Sequence, residues 1–245
     1  MALAGVHYTA AALTDRGRER ASNEDAFGYS VKHGVYLVCD GLGGAAAGEI
    51  ASSLAVEQML RLLSSRAEAA PFSTLAEQAV SAANQAIFSR AQSNRRLSGM
   101  GTTLVGLVVE ESHAWVINIG DSRCYRLRNR SLEQITLDHS LVEEQVRMGR
   151  MTPAEALRSP LRNVITRALG TESSVTPDVF ELEAEPGDLF LLCSDGLTHE
   201  LADARIESLL DAGLPLDELC GRLVEAAKKA GGSDNITCLL VRAEG

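Results

Sequence analysis

The stretch Tyr36-Leu37-Val38-Cys39-Asp40-Gly41 places an acidic residue directly after a short apolar run. Such a run predicts a buried strand, so we expect Asp40 where the strand leaves the sheet at its rim. A carboxylate buried alone at that place would carry a large desolvation cost. Glycine at the next position lets the backbone carbonyl of Gly41 come close to a cation. A single Asp-Gly pair is usually only a turn, so the prediction depends on whether the pattern recurs.

Acidic residues stand beside glycine or at the end of an apolar strand in further segments of the chain. These segments are Arg20–Asp25, Ile119–Ser122, Cys193–Gly196 and Gly232–Asn235. Carboxylates that converge at one sheet edge repel one another and raise each other's pKa, and a divalent cation removes both costs. Oxygen donors favour magnesium, manganese or calcium over zinc. Two such ions about 3.5–4 Å apart can share one carboxylate and hold a water molecule as a nucleophile.

The segments on either side of this pattern predict hairpins of strands with helices inserted between them. Strands are predicted at residues 26–31, 35–39, 102–109, 114–119, 123–127, 132–136, 188–193 and 236–241. Helices are predicted at residues 48–63, 72–95 and 216–227 from the helical spacing of their apolar residues and from helix-forming composition. This order favours an α+β fold, a four-layer α-β-β-α sandwich of two antiparallel sheets flanked by helix pairs, over a doubly wound parallel sheet.

Residues 138–170 are polar and contain Gly149, Pro153 and Pro160. They predict short helices in an irregular surface excursion, and long insertions of this kind are often functional. No linker, low-complexity tract or repeat divides the chain. We therefore expect residues 1–245 to form a single domain with a subdomain at about 138–170, which we call the flap.

Composition excludes several classes of protein. The chain has 23 basic and 33 acidic residues, and a net charge of −10 argues against a nucleic-acid binder. Its five cysteines form no Cys-x-x-Cys pair, which argues against a zinc knuckle or a redox motif. The N-terminus lacks a signal peptide and no apolar run approaches the ~20 residues that span a bilayer, so we expect a cytoplasmic protein without membrane insertion. Nothing predicts an obligate interface, and we expect a monomer.

Six motifs in fixed order connect the chain to a known family. They read Arg-x-x-Asn-Glu-Asp, Asp-Gly-x-Gly-Gly, Gly-Met-Gly-Thr-Thr, Gly-Asp-Ser-Arg, Ser-Asp-Gly-Leu and Gly-x-x-Asp-Asn. They occupy Arg20–Asp25, Asp40–Gly44, Gly99–Thr103, Gly120–Arg123, Ser194–Leu197 and Gly231–Asn235. In this the chain resembles the bacterial form of the protein phosphatase 2C family, from about residue 8 to residue 242. The resemblance implies a serine/threonine phosphatase with Mn²⁺ or Mg²⁺ at one rim between two sheets.

The resemblance also assigns roles to single residues. It implies a metal site for two ions, with a third, weaker ion in bacterial members, held by Glu24, Asp40, the Gly41 carbonyl, Asp121, Asp195 and Asp234. Asp40 bridges the two ions and Asp121 serves the third. The implied catalytic residues are Arg20, Asp25 and Asp40, with Asp25 orienting the attacking water. Arg20 binds the substrate phosphate, because a guanidinium can hold two phosphate oxygens at once.

Two positions depart from the family pattern. Many eukaryotic members have a histidine after Asp-Gly, proposed as general acid, and this chain has Leu42, which cannot donate a proton. His139 and His199 are candidates through their proximity to motifs. In the flap, Arg158 precedes Ser159-Pro160, where bacterial relatives often have His-Pro.

Three other functions are alternatives. Cys124 and Arg130 have the Cys-x5-Arg spacing of cysteine-based phosphatases, but the bulky residues between them predict a strand entering a turn. A catalytically silent phosphoprotein-binding module of the same fold is the second alternative. A two-metal nuclease is the third, and the acidic composition argues against it. The partners implied by the resemblance are phosphorylated proteins, among them a bacterial serine/threonine kinase and its substrates, or type VI secretion components.

Overall fold

The computed structural model describes residues 6–65 and 71–245, so most of the N-terminal segment on which the absence of a signal peptide was judged lies outside it. Two antiparallel sheets form its centre. The first sheet contains β1 (His7–Asp15), β7 (Arg123–Arg128), β8 (Ser131–Gln134), β10 (Leu189–Cys193) and β11 (Ile236–Glu244), in the order β1-β11-β10-β7-β8. The second contains β2 (Asp25–Ser30), β3 (Val35–Leu42), β5 (Leu104–Glu110), β6 (His113–Ile119) and β9 (Asp178–Glu183), in the order β2-β3-β5-β6-β9. The short strand β4 (Gly101–Thr102) pairs with β3.

The helices lie in pairs and in short single turns. The two long N-terminal helices are α1 (Ala45–Ser64) and α2 (Phe72–Ser93), and the C-terminal pair is α6 (Asp203–Leu210) and α7 (Leu216–Ala230). The short ones are α3 (Leu141–Arg147), α4 (Pro153–Ala156) and α5 (Asp195–Thr198). Two 3-10 turns cover Val31–His33 and Arg95–Leu97. The first two short helices lie in the flap, as its sequence predicts. No helix of the described residues is long and apolar enough to cross a bilayer.

Three buried apolar clusters separate four layers. One lies between α1, α2 and the second sheet and contains Met59 and Ile87. Another lies between α6, α7 and the first sheet and contains Leu223. The third lies between the sheets, where Tyr36 packs with Phe190. Strands in the middle of each sheet are therefore buried on both faces, which explains their continuous apolar sequence. The predicted α-β-β-α sandwich is confirmed.

Several element boundaries differ from the prediction. The edge strands β1 and β9 were not predicted, because their residues are mostly half-exposed and β1 is rich in alanine, a poor strand former. The predicted strand 102–109 is broken at Thr103 into β4 and β5. The break has a local cause: the Asp40 backbone N–H donates to the side-chain Oγ1 of Thr103 at 2.9 Å. Helix α6 was also missed.

Candidate metal centre

The centre lies at the edge where β2 begins and β3 ends. Asp25 and Asp40 are directly opposed in the antiparallel register of these two strands. Directly opposed like charges destabilise a strand pair. The two strands therefore place two acidic residues where their charges need a compensating cation.

Threonines hold the backbone of Asp40 in place. Its N–H donates to Thr103 Oγ1 at 2.9 Å, and its carbonyl accepts from Thr102 Oγ1 at 2.8 Å. Thr103 Oγ1 also shares a 2.7 Å hydrogen bond with Ser122 Oγ, next to Asp121. These contacts couple the end of β3 to the loop that carries Asp121.

Glu24 is held by its backbone and by a close approach of a helix. Its N–H donates to Asn235 Oδ1 at 2.8 Å, and its carbonyl accepts from Ser52 Oγ at 2.6 Å. Its carboxylate lies against Gly48 in α1: a Cβ added to Gly48 would stand 2.0 Å from Glu24 Oε2. Glycine at position 48 thus provides the space for this carboxylate.

Asp25 uses one of its two carboxylate oxygens. Oδ2 accepts from Ser194 Oγ at 2.8 Å and from Thr237 Oγ1 at 2.6 Å. Oδ1 is buried and has no hydrogen-bond partner among the described residues. Burial, aided by the charges of Asp195 and Asp234, raises the pKa of Asp25 to about 7, although the two hydroxyl hydrogen bonds oppose the shift.

The electrostatics of Asp40 show which carboxylates share this edge. Burial raises the pKa of Asp40 well above its ordinary value, and the charges of Asp25, Asp195, Asp121 and Asp234 raise it further, in that order. Burial and the charge of Asp195 do the same to the pKa of Asp121. The pKa values of Glu24 and Asp234 are also raised, in both cases mainly by burial. The structure therefore brings all the predicted acidic residues to one edge between the sheets.

Two of these carboxylates are engaged by basic side chains. Arg20 Nη2 donates to Asp234 Oδ2 at 2.6 Å, and His199 Nδ1 lies 3.3 Å from Asp195 Oδ2. Within residues 6–65 and 71–245, no three acidic, histidine or cysteine side chains stand close enough to hold an ion in this conformation. In this conformation Asp234 Oδ2 is turned toward Arg20 and Asp195 Oδ2 toward His199.

The donor set nevertheless fits hard divalent cations. Asp195 Oδ1, like Asp25 Oδ1, is buried and has no hydrogen-bond partner in the described part of the chain. These two buried carboxylate oxygens have no hydrogen-bond donor and lie beside acids that repel one another. Such oxygens are suited to bind a cation. Only oxygen ligands are offered, which is the chemistry of Mn²⁺ and Mg²⁺.

Sequence reasoning missed the residues that fix these carboxylates. They are Thr102, Thr103, Ser122, Ser194, Asn235 and Thr237. The first five lie inside the six motifs, so their motif positions were the available signal. Asn235 shows what they do: its Nδ2 donates to the carbonyls of Arg16 and Ser22, both at 2.9 Å, while its Oδ1 holds Glu24.

The two histidine candidates differ in their surroundings. His139 is buried, and its Nδ1 accepts from the Gly120 N–H at 3.0 Å while Nε2 pairs with Asp178 Oδ2 at 3.1 Å. Both ring nitrogens are used inside the protein, which excludes His139 as a general acid. His199 is one-quarter exposed and lines a groove beside Asp195.

Cys124 does not have the surroundings of a catalytic thiolate. It lies within β7, is fully buried, and burial raises the pKa of its thiol. A nucleophilic cysteine needs exposure and a lowered pKa. The cysteine-phosphatase alternative is therefore excluded.

A groove of about 430 Å³ runs from the carboxylate edge under the flap. Asp121 and Asp195 of the carboxylate edge line it, and so do Val142, Leu157 and Arg162 of the flap. A chain bound at the edge would therefore contact the flap.

The chain is similar to known proteins over nearly its whole length. The family model described as "Protein phosphatase 2C" matches residues 14–240. The serine/threonine phosphatase stp of Listeria innocua is 40% identical over 238 residues, which is 93% of each chain. The catalytic domain of the serine/threonine phosphatase PstP, solved with 2 manganese ions, has a TM-score of 0.89 at 36% identity and covers 98% of this chain and 100% of that one. PppA, described as a key regulatory component of the type VI secretion system in Pseudomonas aeruginosa, has a TM-score of 0.86 at 35% identity, covering 98% and 99%.

Proposed function

Because the chain belongs to the protein phosphatase 2C family, we propose that it is a manganese- or magnesium-dependent phosphatase that hydrolyses phosphoserine and phosphothreonine in other proteins. The observation that carries this proposal is the single carboxylate edge, where burial and mutual repulsion raise the pKa values of Asp25, Asp40 and Asp121. Such an edge is stable with all its charges only when cations are bound.

The family resemblance assigns the metal ligands. Asp40 would hold both ions, Asp195 and Asp234 would hold the first, and Glu24 with the Gly41 carbonyl would hold the second. Asp121 serves a third, weaker ion. The orphaned oxygen of Asp195 supports its assignment. When bound, the ions polarise a water molecule and neutralise charge on the phosphoryl oxygens.

The remaining roles belong to the chain's own side chains. Asp25 Oδ1 has no hydrogen-bond partner among the described residues, so it is available to accept a hydrogen bond from the attacking water and orient it. As the water oxygen bonds to phosphorus, the bond from phosphorus to the serine or threonine oxygen breaks, and that oxygen leaves with a proton. Arg20 holds two phosphoryl oxygens and stabilises the charge that moves between them. The products are inorganic phosphate and the free hydroxyl.

We also propose a cytoplasmic setting in which the chain, as a monomer with the flap as a subdomain, reverses a serine/threonine kinase. The description of PppA supports testing type VI secretion components as substrates. Phosphoproteomes of cells that express the chain or its Asp40→Asn variant would identify the substrates. Phosphosites that rise only in the variant cells are the expected result, and identical phosphoproteomes would contradict this setting.

The activity itself is tested by Mn²⁺-dependent phosphate release from para-nitrophenyl phosphate and from a phosphothreonine peptide. Asp40→Asn and Asp234→Asn are expected to abolish release, because each removes a metal ligand. Cys124→Ser is expected to keep it. Turnover that persists in a chelator, or in both aspartate variants, would defeat the proposal. Binding of the phosphopeptide without turnover would indicate the silent module instead.

A further inference from the structure

The flap carries a local positive charge on an acidic protein. Residues 138–170 contain five arginines and four acidic residues, in a chain with a net charge of −10. One arginine, Arg167, pairs with Asp178 at 2.7 Å. The other four are exposed and form no ion pair with any described residue, and they are Arg147, Arg150, Arg158 and Arg162.

Among the described residues, the acidic side chains of the flap form no ion pair with these arginines, and three of the four have other hydrogen-bond partners. Asp138 accepts three hydrogen-bond contacts from Arg123 on β7. Glu144 accepts from Thr166 Oγ1 at 2.7 Å, and Glu155 closes a capping box with Thr152. The positive charges of the flap are therefore available to an outside anion.

Large apolar side chains are exposed in the same segment. Of the eight that are exposed among the described residues, half lie in the flap: Met148, Leu157, Leu161 and Val164. Leu157 is the most exposed of all, at 75%. Exposed apolar side chains concentrated in one place mark a surface that another molecule covers.

The flap surface is continuous with the carboxylate edge. Leu157 and Arg162 line the same groove as Asp121 and Asp195. A polypeptide whose phosphorylated residue reaches the edge would pass these flap residues. The surface therefore faces the residues that flank the phosphorylated one.

We propose that the flap arginines, Arg158 and Arg162 foremost, bind a second anionic side chain that flanks the target phosphoresidue, so that the enzyme prefers substrates with an acidic or second phosphorylated residue. The inference rests on the proposed phosphatase function and adds the substrate class. A preference for anionic over neutral peptides would be informative, because a protein with net charge −10 would otherwise repel an acidic peptide.

Three peptides with the same phosphothreonine test the proposal: one with neutral flanks, one with glutamate flanks and one with a flanking phosphoserine made non-hydrolysable as its phosphonate. We expect kcat/KM to be about three- to tenfold higher for the anionic peptides, the range of one or two exposed ion pairs. A preference for the phosphonate alone would assign the surface to a second phosphate, and an equal preference would assign it to any anion. The preference should fall as salt screens the charges.

The double variant Arg158→Ala/Arg162→Ala should bring the ratio of anionic to neutral peptide to one or below. Lys32→Ala/Arg61→Ala removes the same charge elsewhere and should leave the ratio unchanged. Lys32 lies in the turn at the opposite end of β2 and β3, and Arg61 is roughly 24 Å along α1 from its start beside the edge.

The outcomes separate the two proposals. No phosphate release from any peptide would refute the phosphatase function. Release from all three at equal rates, or a ratio lowered equally by both double variants, would refute the role of the flap while leaving the phosphatase function intact.

Discussion

Arg20 and Asp234 form an ion pair with 2.6 Å between Nη2 and Oδ2. The residue expected to hold the substrate phosphate is thus held by a residue expected to hold a metal ion. Half of the Arg20 side chain remains exposed, and Asp234 is less than one-quarter exposed. A cation at Asp234 would compete with the guanidinium for this carboxylate, so we expect metal binding and the release of Arg20 toward phosphate to be coupled.

Replacing Arg20 tests this coupling. Arg20→Ala should lower kcat/KM for para-nitrophenyl phosphate about 10- to 100-fold, because it removes charge-assisted hydrogen bonds worth about 1.5–3 kcal/mol. It should also lower the Mn²⁺ concentration that gives half-maximal activity, since Asp234 loses its competitor. A titration of activity with Mn²⁺ measures both effects. A raised Mn²⁺ requirement would show that the ion pair does not oppose metal binding.

Glycine 48 should be required for the position of Glu24. A Cβ on Gly48→Ala would stand 2.0 Å from Glu24 Oε2 and 2.9 Å from the carbonyl carbon of Gly41, so the carboxylate has to move. We expect the Mn²⁺ concentration for half-maximal activity to rise at least about tenfold, as with the loss of one ligand interaction of about 1.4 kcal/mol.

Gly221→Ala is the matched control for this substitution. Gly221 lies within α7, and an added Cβ would meet no atom within 4 Å. Alanine is a better helix former than glycine, so this variant should be more stable by about 0.5–1 kcal/mol with an unchanged Mn²⁺ requirement. Equal Mn²⁺ requirements for both variants would remove the assigned role of Glu24.

The metal-free protein should lose stability as the pH rises toward neutrality. The ordinary pKa of an aspartate side chain is 3.8, and burial is the main reason that the pKa of Asp25 rises to about 7 in the folded protein. The folded state therefore binds more protons than the unfolded state between these values, and the free energy of unfolding falls as the pH rises through this window. Asp25→Asn keeps an acceptor for Ser194 and Thr237 but does not ionise.

Thermal unfolding in a chelator at pH 5 and pH 8 measures this effect. The melting temperature of Asp25→Asn relative to wild type should increase from pH 5 to pH 8, and Mn²⁺ should abolish the increase by stabilising the wild-type charges. A difference that does not change with pH would show that Asp25 ionises freely in the folded protein.

The sequence predicted the parts of this molecule that depend on local pattern. The central strands β3 and β10 are continuous apolar runs ended by Asp40 and Asp195, and a buried strand with a polar end is recognisable from sequence. The edge strands β1 and β9 were missed because partial exposure removes the apolar run. The prediction that the acidic residues meet at one edge followed from the order of the motifs and from their position at strand ends.

The supporting hydrogen bonds could not be predicted in the same way. Asn235 and Glu24 are separated by 211 residues in sequence, and their contact depends on the packing of β2 against the loop before β11. The present pairing of Arg20 with Asp234 is similar, because sequence shows two roles but not which partner each side chain has before a ligand binds. The partner of such a side chain depends on competing contacts of similar free energy. These contacts can be compared only in the folded structure.

His139 should act as a positioning residue for the loop that carries Asp121. Its Nδ1 accepts from Gly120 N–H, and its other nitrogen pairs with Asp178, which Arg167 holds at 2.7 Å. His139→Ala would leave the buried Gly120 N–H without a partner, which costs about 1–3 kcal/mol and lowers the melting temperature by about 2–4 °C for each kcal/mol. His139→Asn offers an oxygen near the position of Nδ1 and should recover part of the loss.

The pH dependence of kcat separates this role from proton donation. If His139 only positions the loop, the pH–rate profile of His139→Asn should have the shape of the wild-type profile, with activity lowered most at limiting Mn²⁺, because Asp121 is less well placed. If His139 donated a proton to the leaving oxygen, the alkaline limb of the profile would disappear, and asparagine could not restore it. Loss of that limb in His139→Asn would therefore contradict the hydrogen-bond assignment and return His139 to the list of candidate acids.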